Sequence, residues 1–460
     1  MQKAIQSVYE TLSRNFNGLL IRPHDTGYDD ATRIWNGMFV RRPGLVAYCR
    51  DVNDVQAAVR ASAATGVITA VRCGGHSLAG FSLCDNGLVI DLSLIRHVQV
   101  DPTLRKVRFG GGCLLGTVDT ATQEVGLAFP AGVVSHTGAG GLILGGGTGW
   151  LNRLHGLSCD NVEGFSLVVA DGSLLRANAN ENADLYWALR GGGGNFGVVT
   201  EFEARLHPLT SVLLGRGICV GHEITPLLRN WREFMPEAPD NLRWGFSLQI
   251  GNEARNFPPE ARGLPVASAS VVWVGNTDKG IRFINQALTA AAHSVVKIEE
   301  MSFLRLQTLA DSDFPHGRRY YTKSGYLESL EDRVIEMLVA ALATVPSHAS
   351  EIELTYLGGA ARRVGPEETA FGSRDAPFVI NILGNWSEPA EDAANIVWIR
   401  NLFAQLRPAM VPGAYVNFMS GDEQDRVPEV YRKQWDRLRA VKTIYDPRNL
   451  FRLNQNIPPH

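Results

Sequence analysis

No stretch of the 460-residue chain approaches the roughly 18 consecutive apolar residues that a membrane-spanning helix needs. Residues 1–21 lack a charged n-region followed by a continuous apolar core, so no secretory signal is visible and the expectation is a soluble, cytoplasmic protein with no membrane partner. An excess of one charge is also missing. Lys and Arg total 44 against 47 Asp and Glu, a net charge of −3, which excludes the electrostatic footprint of a nucleic-acid binder. The six cysteines (49, 73, 84, 113, 159 and 219) form no CxxC and no metal-ligand spacing. They predict reduced thiols and no metal site. Internal repeats and low-complexity tracts are absent.

Glycine is plentiful, at 47 residues, and its runs concentrate between 110 and 197. Clustered glycine of this kind lets backbone approach a large ligand, because no Cβ intervenes. The apolar run Val67–Val71 reads as a buried strand and ends in Arg72-Cys73-Gly74-Gly75-His76-Ser77. Arg72 offers a positive fork suited to phosphate and Ser77 a hydroxyl beside it. His76 at the tip can serve acid/base, metal or covalent chemistry; a plain strand-to-loop turn has comparable weight when this stretch is taken alone.

Residues 45–93 alternate as an α/β unit: a strand at 45–49, a helix capped by Asn53 or Asp54 and stopped by Gly66, then strands at 67–72 and 88–92. A second unit runs from Lys106–Phe109 through Gly138–Trp150, the strand Phe165–Ala170 and a helix over 182–189, to the strand Val198–Glu203. From about 210 the glycine runs stop. Strands at 243–250, 267–274, 351–357 and 377–383 alternate with amphipathic helices, and Ser324-Gly325 and Gly358-Gly359 punctuate them. A strand over Ala414–Phe418, a helix over 428–443 and a Pro/Asn-rich tail close the chain.

The cluster at 138–149 invites a nicotinamide dinucleotide reading, with Asp171 near the ribose-binding distance. Its spacing is GGGxG, and no buried strand leads directly into it, so that reading is rejected. Several glycine-rich loops with an Arg and a reactive His better suit a flat cofactor held by backbone N–H groups.

Taken in order, Arg72–Ser77, Phe129–Gly132, Gly156–Asn161, Gly193–Thr200, Tyr415-Val416-Asn417 and the tail 445–458 resemble the berberine bridge enzyme-like FAD-linked oxidases of the vanillyl-alcohol oxidase superfamily. The resemblance implies an α+β fold: a PCMH-type FAD-binding domain of two α/β subdomains (1–207), a substrate domain with an antiparallel sheet covered by helices (208–419), and a C-terminal segment (420–460) that returns to the FAD-binding domain. It implies FAD linked through His76, with Arg72, Cys73, Gly74, Gly75, Ser77, Val134, Thr137, Gly138, Gly141, Leu142, Gly146 and Gly147 around it. Asp160, Asn161, Gly197, Val198, Val199, Tyr415, Asn417 and Asn454 complete the implied cofactor set.

Two positions depart from the pattern. Where doubly linked relatives carry a second flavin-bearing cysteine this chain has Val134, which cannot form a thioether; Cys159 is read as a buried thiol near the cofactor. Where plant members carry a base tyrosine after Tyr-x-Asn, Phe418 stands and cannot accept a proton. Candidates for that role lie on Glu351-Ile352-Glu353-Leu354-Thr355-Tyr356, where a period of two sets Glu351, Glu353 and Thr355 on one strand face; a solvated polar face has equal weight. Tyr415 and Asn417 share a face and join the catalytic candidates. Tyr321, Lys323, Tyr356 and Phe418 are candidates for substrate contact. His136 is read as a polar contact or a satisfied loop histidine, and His155 as structural. The resemblance thus implies oxidation of a small organic substrate by hydride transfer to FAD, with dioxygen reoxidising the flavin to give hydrogen peroxide. A flavin protein that sequesters a small molecule without turnover is the competing expectation.

Overall fold

The computed structural model describes residues 2–289 and 295–460. The first sheet contains β1 (Leu19–Ile21), β2 (Leu45–Tyr48), β3 (Thr69–Arg72) and β4 (Leu88–Asp91), in the order β1-β2-β4-β3. β2 and β3 both run parallel to β4, so the helix Val52–Thr65 carries the chain between them. Its apolar face, Val55, Ala58 and Val59, is fully buried. The cap is Asp51 rather than Asn53 or Asp54: its carboxylate accepts from the N–H groups of both. Gly66 ends the helix at φ 67°, a conformation that costs glycine little.

The second sheet is antiparallel. It is built from β5 (Val98–Asp101), β6 (Lys106–Gly110), β8 (Val162–Val168), β9 (Leu174–Asn178) and β10 (Val198–Arg205), ordered β5-β6-β10-β8-β9. The short strands β7 (Leu127–Ala128) and β11 (His207–Pro208) pair beside it.

The third sheet has seven antiparallel strands: β12 (Ser211–Val220), β13 (Leu242–Ile250), β14 (Pro265–Trp273), β15 (Val295–Ser302), β16 (Arg319–Leu327), β17 (Glu351–Tyr356) and β18 (Phe378–Trp386). Their order is β15-β12-β14-β13-β17-β18-β16. Helices Ile224–Phe234, Thr277–Thr289, Asp332–Ala341 and Asp392–Leu406 cover one face through Trp231, Ile284, Leu338 and Ile399. They pack on strand residues such as Trp244, Ala269, Ile352 and Ile380. Because side chains alternate along a strand, burying this face turns Glu351, Glu353 and Thr355 to the other side. The α+β architecture with a helix-covered antiparallel sheet is thus present.

The chain end packs back on the second sheet, with Val430, Tyr431, Leu438 and Ile457 in the cluster around Phe109, Phe165 and Phe202. Fully buried Lys442 fixes it, donating to Asn195 O at 2.7 Å, Phe451 O at 3.0 Å and Asp446 Oδ2 at 2.6 Å. A buried ammonium needs such a set of acceptors.

Three local expectations are corrected. Ala414–Phe418 forms no strand; Val416–Phe418 is a single 3₁₀ turn. Ser324-Gly325 lies inside β16, and a Cβ at Gly325 would stand 2.4 Å from Met410 Sδ, so glycine here makes room for a packed side chain. The C-terminal helix is broken into Val427–Tyr431 and Trp435–Tyr445, with Arg432 between them at φ 50°. No described helix is long and apolar enough to cross a membrane, and all six cysteines are free thiols.

Candidate active site

A cavity of about 650 Å³ separates the glycine-rich loops of the first two sheets from the helix-free face of the third. The loops themselves meet closely: a Cβ at Gly74 would lie 2.5 Å from Gly138 N, and one at Gly138 would lie 2.4 Å from Gly74 N. Only two glycines fit that crossing. Gly141 and Gly194 also line the cavity, and a Cβ on either would meet no protein atom within 4 Å. Two buried polar atoms of lining residues, Trp150 Nε1 and Asn454 Oδ1, have no protein partner. Bare backbone facing open space and unspent polar atoms fit a large, flat, polar-edged cofactor such as FAD.

Cys73, Gly74, Gly75, His76 and Ser77 all line the cavity. His76 sits half-buried, stacked on Trp35 with ring centroids 4.6 Å apart, and Trp35 stacks in turn on Tyr320 at 3.7 Å. Its Nε2 lies 2.7 Å from His136 Nδ1. His316 completes a trio whose ring nitrogens lie within 4.8 Å of one another. Burial, then the neighbouring His136 and His316, hold the His76 imidazole well below its usual pKa. The ring is therefore neutral, with a lone pair at one nitrogen. His136 is a direct partner of His76. His155 stacks on His207 at 3.7 Å outside the cavity, and burial pushes its pKa down to about 4.

Val134, Thr137, Gly138, Gly141, Leu142, Gly197, Val199 and Asn454 line the cavity as expected. Arg72 does not. Its guanidinium pairs with Asp91, its register partner on β4, and donates to Ala31 O at 2.7 Å and Tyr48 Oη at 3.3 Å. The fork expected to hold phosphate is spent on the first sheet.

Gly146, Gly147, Asp160, Asn161 and Val198 also stand behind the lining. Gly147 adopts φ 79°, and a Cβ there would lie 2.1 Å from Ser158 Oγ. Gly146 is pressed in the same way against Phe371. Asp160 accepts from Arg374 at 2.6 and 3.0 Å and from Leu157 N–H at 2.9 Å. Asn161 donates to the carbonyls of His155 and Leu157 at 2.9 Å. Val198 is buried against the first sheet, and Cys159 packs among Leu157, Phe371 and Tyr415. These residues position the loops. Arg374→Met strands the Asp160 carboxylate, whose side chain is only 6% exposed. It is expected to cost about 3–5 kcal/mol in denaturant unfolding, and a change under about 1 kcal/mol would refute the positioning role.

Although 414–418 is not a strand, Tyr415 and Asn417 still meet in the cavity. Asn417 Nδ2 donates to Tyr415 Oη and to Leu142 O, both at 3.0 Å. The Tyr415 oxygen also accepts from Thr148 N–H at 3.3 Å. Burial raises the Tyr415 pKa, so the phenol keeps a proton that it can donate. Phe418 packs edge-on to Tyr415 at 5.1 Å.

Glu351, Glu353, Thr355 and Tyr356 line the opposite wall, and the two carboxylates differ. Glu351 is paired with Arg255 and accepts from Ser247 Oγ at 2.6 Å. Glu353 accepts from Asn381 Nδ2 at 2.8 Å, and its closest cation, Arg243, is 3.9 Å away. Burial raises the Glu353 pKa above the ordinary 4.5, and Arg243 opposes that shift.

Tyr321 and Lys323 face away from the cavity. Tyr321 Oη donates to Asp422 Oδ2 at 2.7 Å, and Lys323 Nζ reaches Asp422 at 3.1 Å and Glu423 at 3.2 Å. The face of β16 that lines the cavity carries Tyr320, Thr322 and Tyr326. Arg243, which the sequence reading passed over, sits on β13 two residues before Gly245 and four before Ser247. That polar period of two was its visible signal.

Two family models match the chain: an FAD binding domain over residues 43–178, and berberine and berberine-like proteins over residues 414–458. An FAD-linked oxidoreductase of Dictyostelium discoideum is 32% identical, covering 97% of this chain and 95% of its own. (R)-6-hydroxynicotine oxidase of Paenarthrobacter nicotinovorans is 30% identical, covering 97% of both chains. The crystal structure of 6-hydroxy-D-nicotine oxidase from Arthrobacter nicotinovorans superposes with a TM-score of 0.86 at 29% identity, over 97% of this chain and 99% of that one. A two-part FAD-binding fold facing an antiparallel sheet is the scaffold of an FAD-dependent oxidoreductase. This chain belongs to the berberine bridge enzyme-like FAD-linked oxidoreductases.

Proposed function

We propose that the protein is an oxidase that removes a hydride and a proton from a small organic substrate, two electrons and two protons in all, using FAD attached once, through His76. The observation that carries this reading is the neutral His76 imidazole at the cavity wall, 2.7 Å from His136, with valine at 134 where a second link would need a thiol. Bound FAD supplies the two-electron acceptor. Everything else falls to the chain's own residues. His136 and Trp35 fix the His76 ring. Tyr415, its oxygen already accepting two hydrogen bonds, can donate a third to the substrate or cofactor. Glu353, facing the cavity from β17, supplies the proton acceptor that Phe418 cannot. With FAD bound, dioxygen would take up the two electrons and two protons and leave as hydrogen peroxide, and the cytoplasm is the proposed location.

Anaerobic addition of candidate alcohols, sugars, amines and aromatic metabolites should bleach the visible flavin bands for at least one class. Admission of air should restore them with one equivalent of peroxide. Bleaching that air does not reverse would replace the oxidase with a dehydrogenase; no bleaching by any class would leave a binding protein.

A further inference from the structure

Four arginines line the cavity, and three are already engaged. Arg153 donates to the carbonyls of Leu242 at 2.7 Å and Ala238 at 2.8 Å. Arg216 is paired with Glu299 at 2.8 Å. Arg255 holds Glu351 and Gln249, the latter at 2.7 Å. Arg243 is different. Its guanidinium lies 4.6 Å over the Trp150 ring, and its closest carboxylate oxygen, on Glu353, is 3.9 Å away, beyond hydrogen-bond reach. Glu353 instead accepts from Asn381. Among the described residues the five N–H donors of Arg243 have no protein acceptor, although its side chain is only 16% exposed.

A largely buried guanidinium whose unspent donors open on a cavity is ready to receive an acceptor from a bound molecule. Arg243 faces the open cavity. Gly245, whose Cβ position lies 3.7 Å from Arg243 Nη1, and Ser270, its register partner on β14, line the cavity too and carry little side chain. Of the rings that line the cavity, Trp150 touches Arg243, while Tyr326, Tyr356 and Phe418 line it elsewhere. A planar fork fixed on an indole face, beside small residues in a cavity lined with rings, matches a carboxylate carried on an apolar ring system.

We propose that Arg243 is the substrate's anion anchor, and that the molecules oxidised here are aromatic compounds bearing a carboxylate. The proposal rests on the reading that this cavity receives the substrate. Its test is binding, so the two can fail separately: a flavin that no compound bleaches would sink the oxidase and leave the anchor standing.

The test is calorimetric titration of the purified holoprotein with 2-naphthoate and with its neutral analogue 2-naphthamide. A charge-assisted bidentate contact predicts that the acid binds about tenfold or more tighter than the amide. In Arg243→Gln that preference should fall to within about twofold, with flavin content and unfolding midpoint as controls for folding. Arg243→Lys should retain part of it, because a point charge lacks the fork. Removing Arg243 also leaves Glu353 uncompensated, which could repel an anion without any direct contact. The double variant Arg243→Gln, Glu353→Gln separates these effects: a direct anchor predicts that the preference stays lost. Equal binding of acid and amide by the unmodified protein, a preference that survives in Arg243→Gln, or its return in the double variant would each overturn the proposal.

Discussion

Replacing His76 with alanine is expected to turn an acid-precipitated pellet from yellow to colourless. A covalent bond survives unfolding, whereas a cofactor held by packing and hydrogen bonds is released. Among the described residues no cysteine is placed to make a second attachment as a thiolate. Val134 carries no thiol, and burial pushes the Cys73 thiol, the cysteine that lines the cavity, up to about 12, far from the reactive thiolate form. Cys159 is fully buried, and burial holds its thiol well above the ordinary range. The variant should still bind FAD reversibly. The crossing of Gly74 with Gly138 and the bare backbone at Gly141 and Gly194 do not depend on the imidazole. Its native form should therefore remain yellow while its denatured form is not, which separates loss of the bond from loss of the fold. A yellow pellet from His76→Ala, or a flavin-bearing peptide containing Cys73 or Cys159, would show that the attachment lies elsewhere.

Much of the site could be read from local pattern. Glycine runs marked the loops whose bare backbone lines the cavity, because a glycine carries no Cβ wherever the fold places it. The alternation on 351–356 put Glu351, Glu353 and Thr355 on one face, which the pleat guarantees once the segment is a strand. The failures are long-range: local pattern could say neither which strand face looked inward nor which distant residue would meet a side chain. The alternation makes Tyr321 and Lys323 candidates for substrate contact, yet Tyr320 and Thr322 line the cavity, since a one-residue change of face exchanges every side chain. Arg72 is a suitable phosphate ligand in isolation. Its capture by Asp91 follows from the parallel register of β3 with β4, a long-range fact. The meeting of His76, His136 and His316 likewise depends on loops from different parts of the fold.

The strand face left with two carboxylates gives the second large effect. Glu353→Gln is expected to slow anaerobic flavin reduction by about 10²-fold or more, while Glu351→Gln should have a smaller effect. Both line the cavity, but Glu351 is held by Arg255 and Ser247, so its oxygens are engaged in an ion pair that taking up a proton would weaken. Glu353 keeps one hydrogen bond, from Asn381, and a cation only at the edge of contact. Burial raises its pKa, which makes it a stronger base than an exposed carboxylate. The sign of the pH dependence follows. A proton acceptor works only when deprotonated, so the reduction rate should rise with pH through a pKa above the ordinary 4.5 and then level off. Glu353→Gln should lose that limb and become flat over the same range. Removing Arg243, which opposes the shift, should move the limb to still higher pH. Stopped-flow reduction across that range, on the unmodified protein and the three variants, reads all of these at once. If Glu353→Gln kept both the rate and the limb, the proton would have to leave through another group, and Glu351, the other carboxylate on that face, is the next candidate within the cavity.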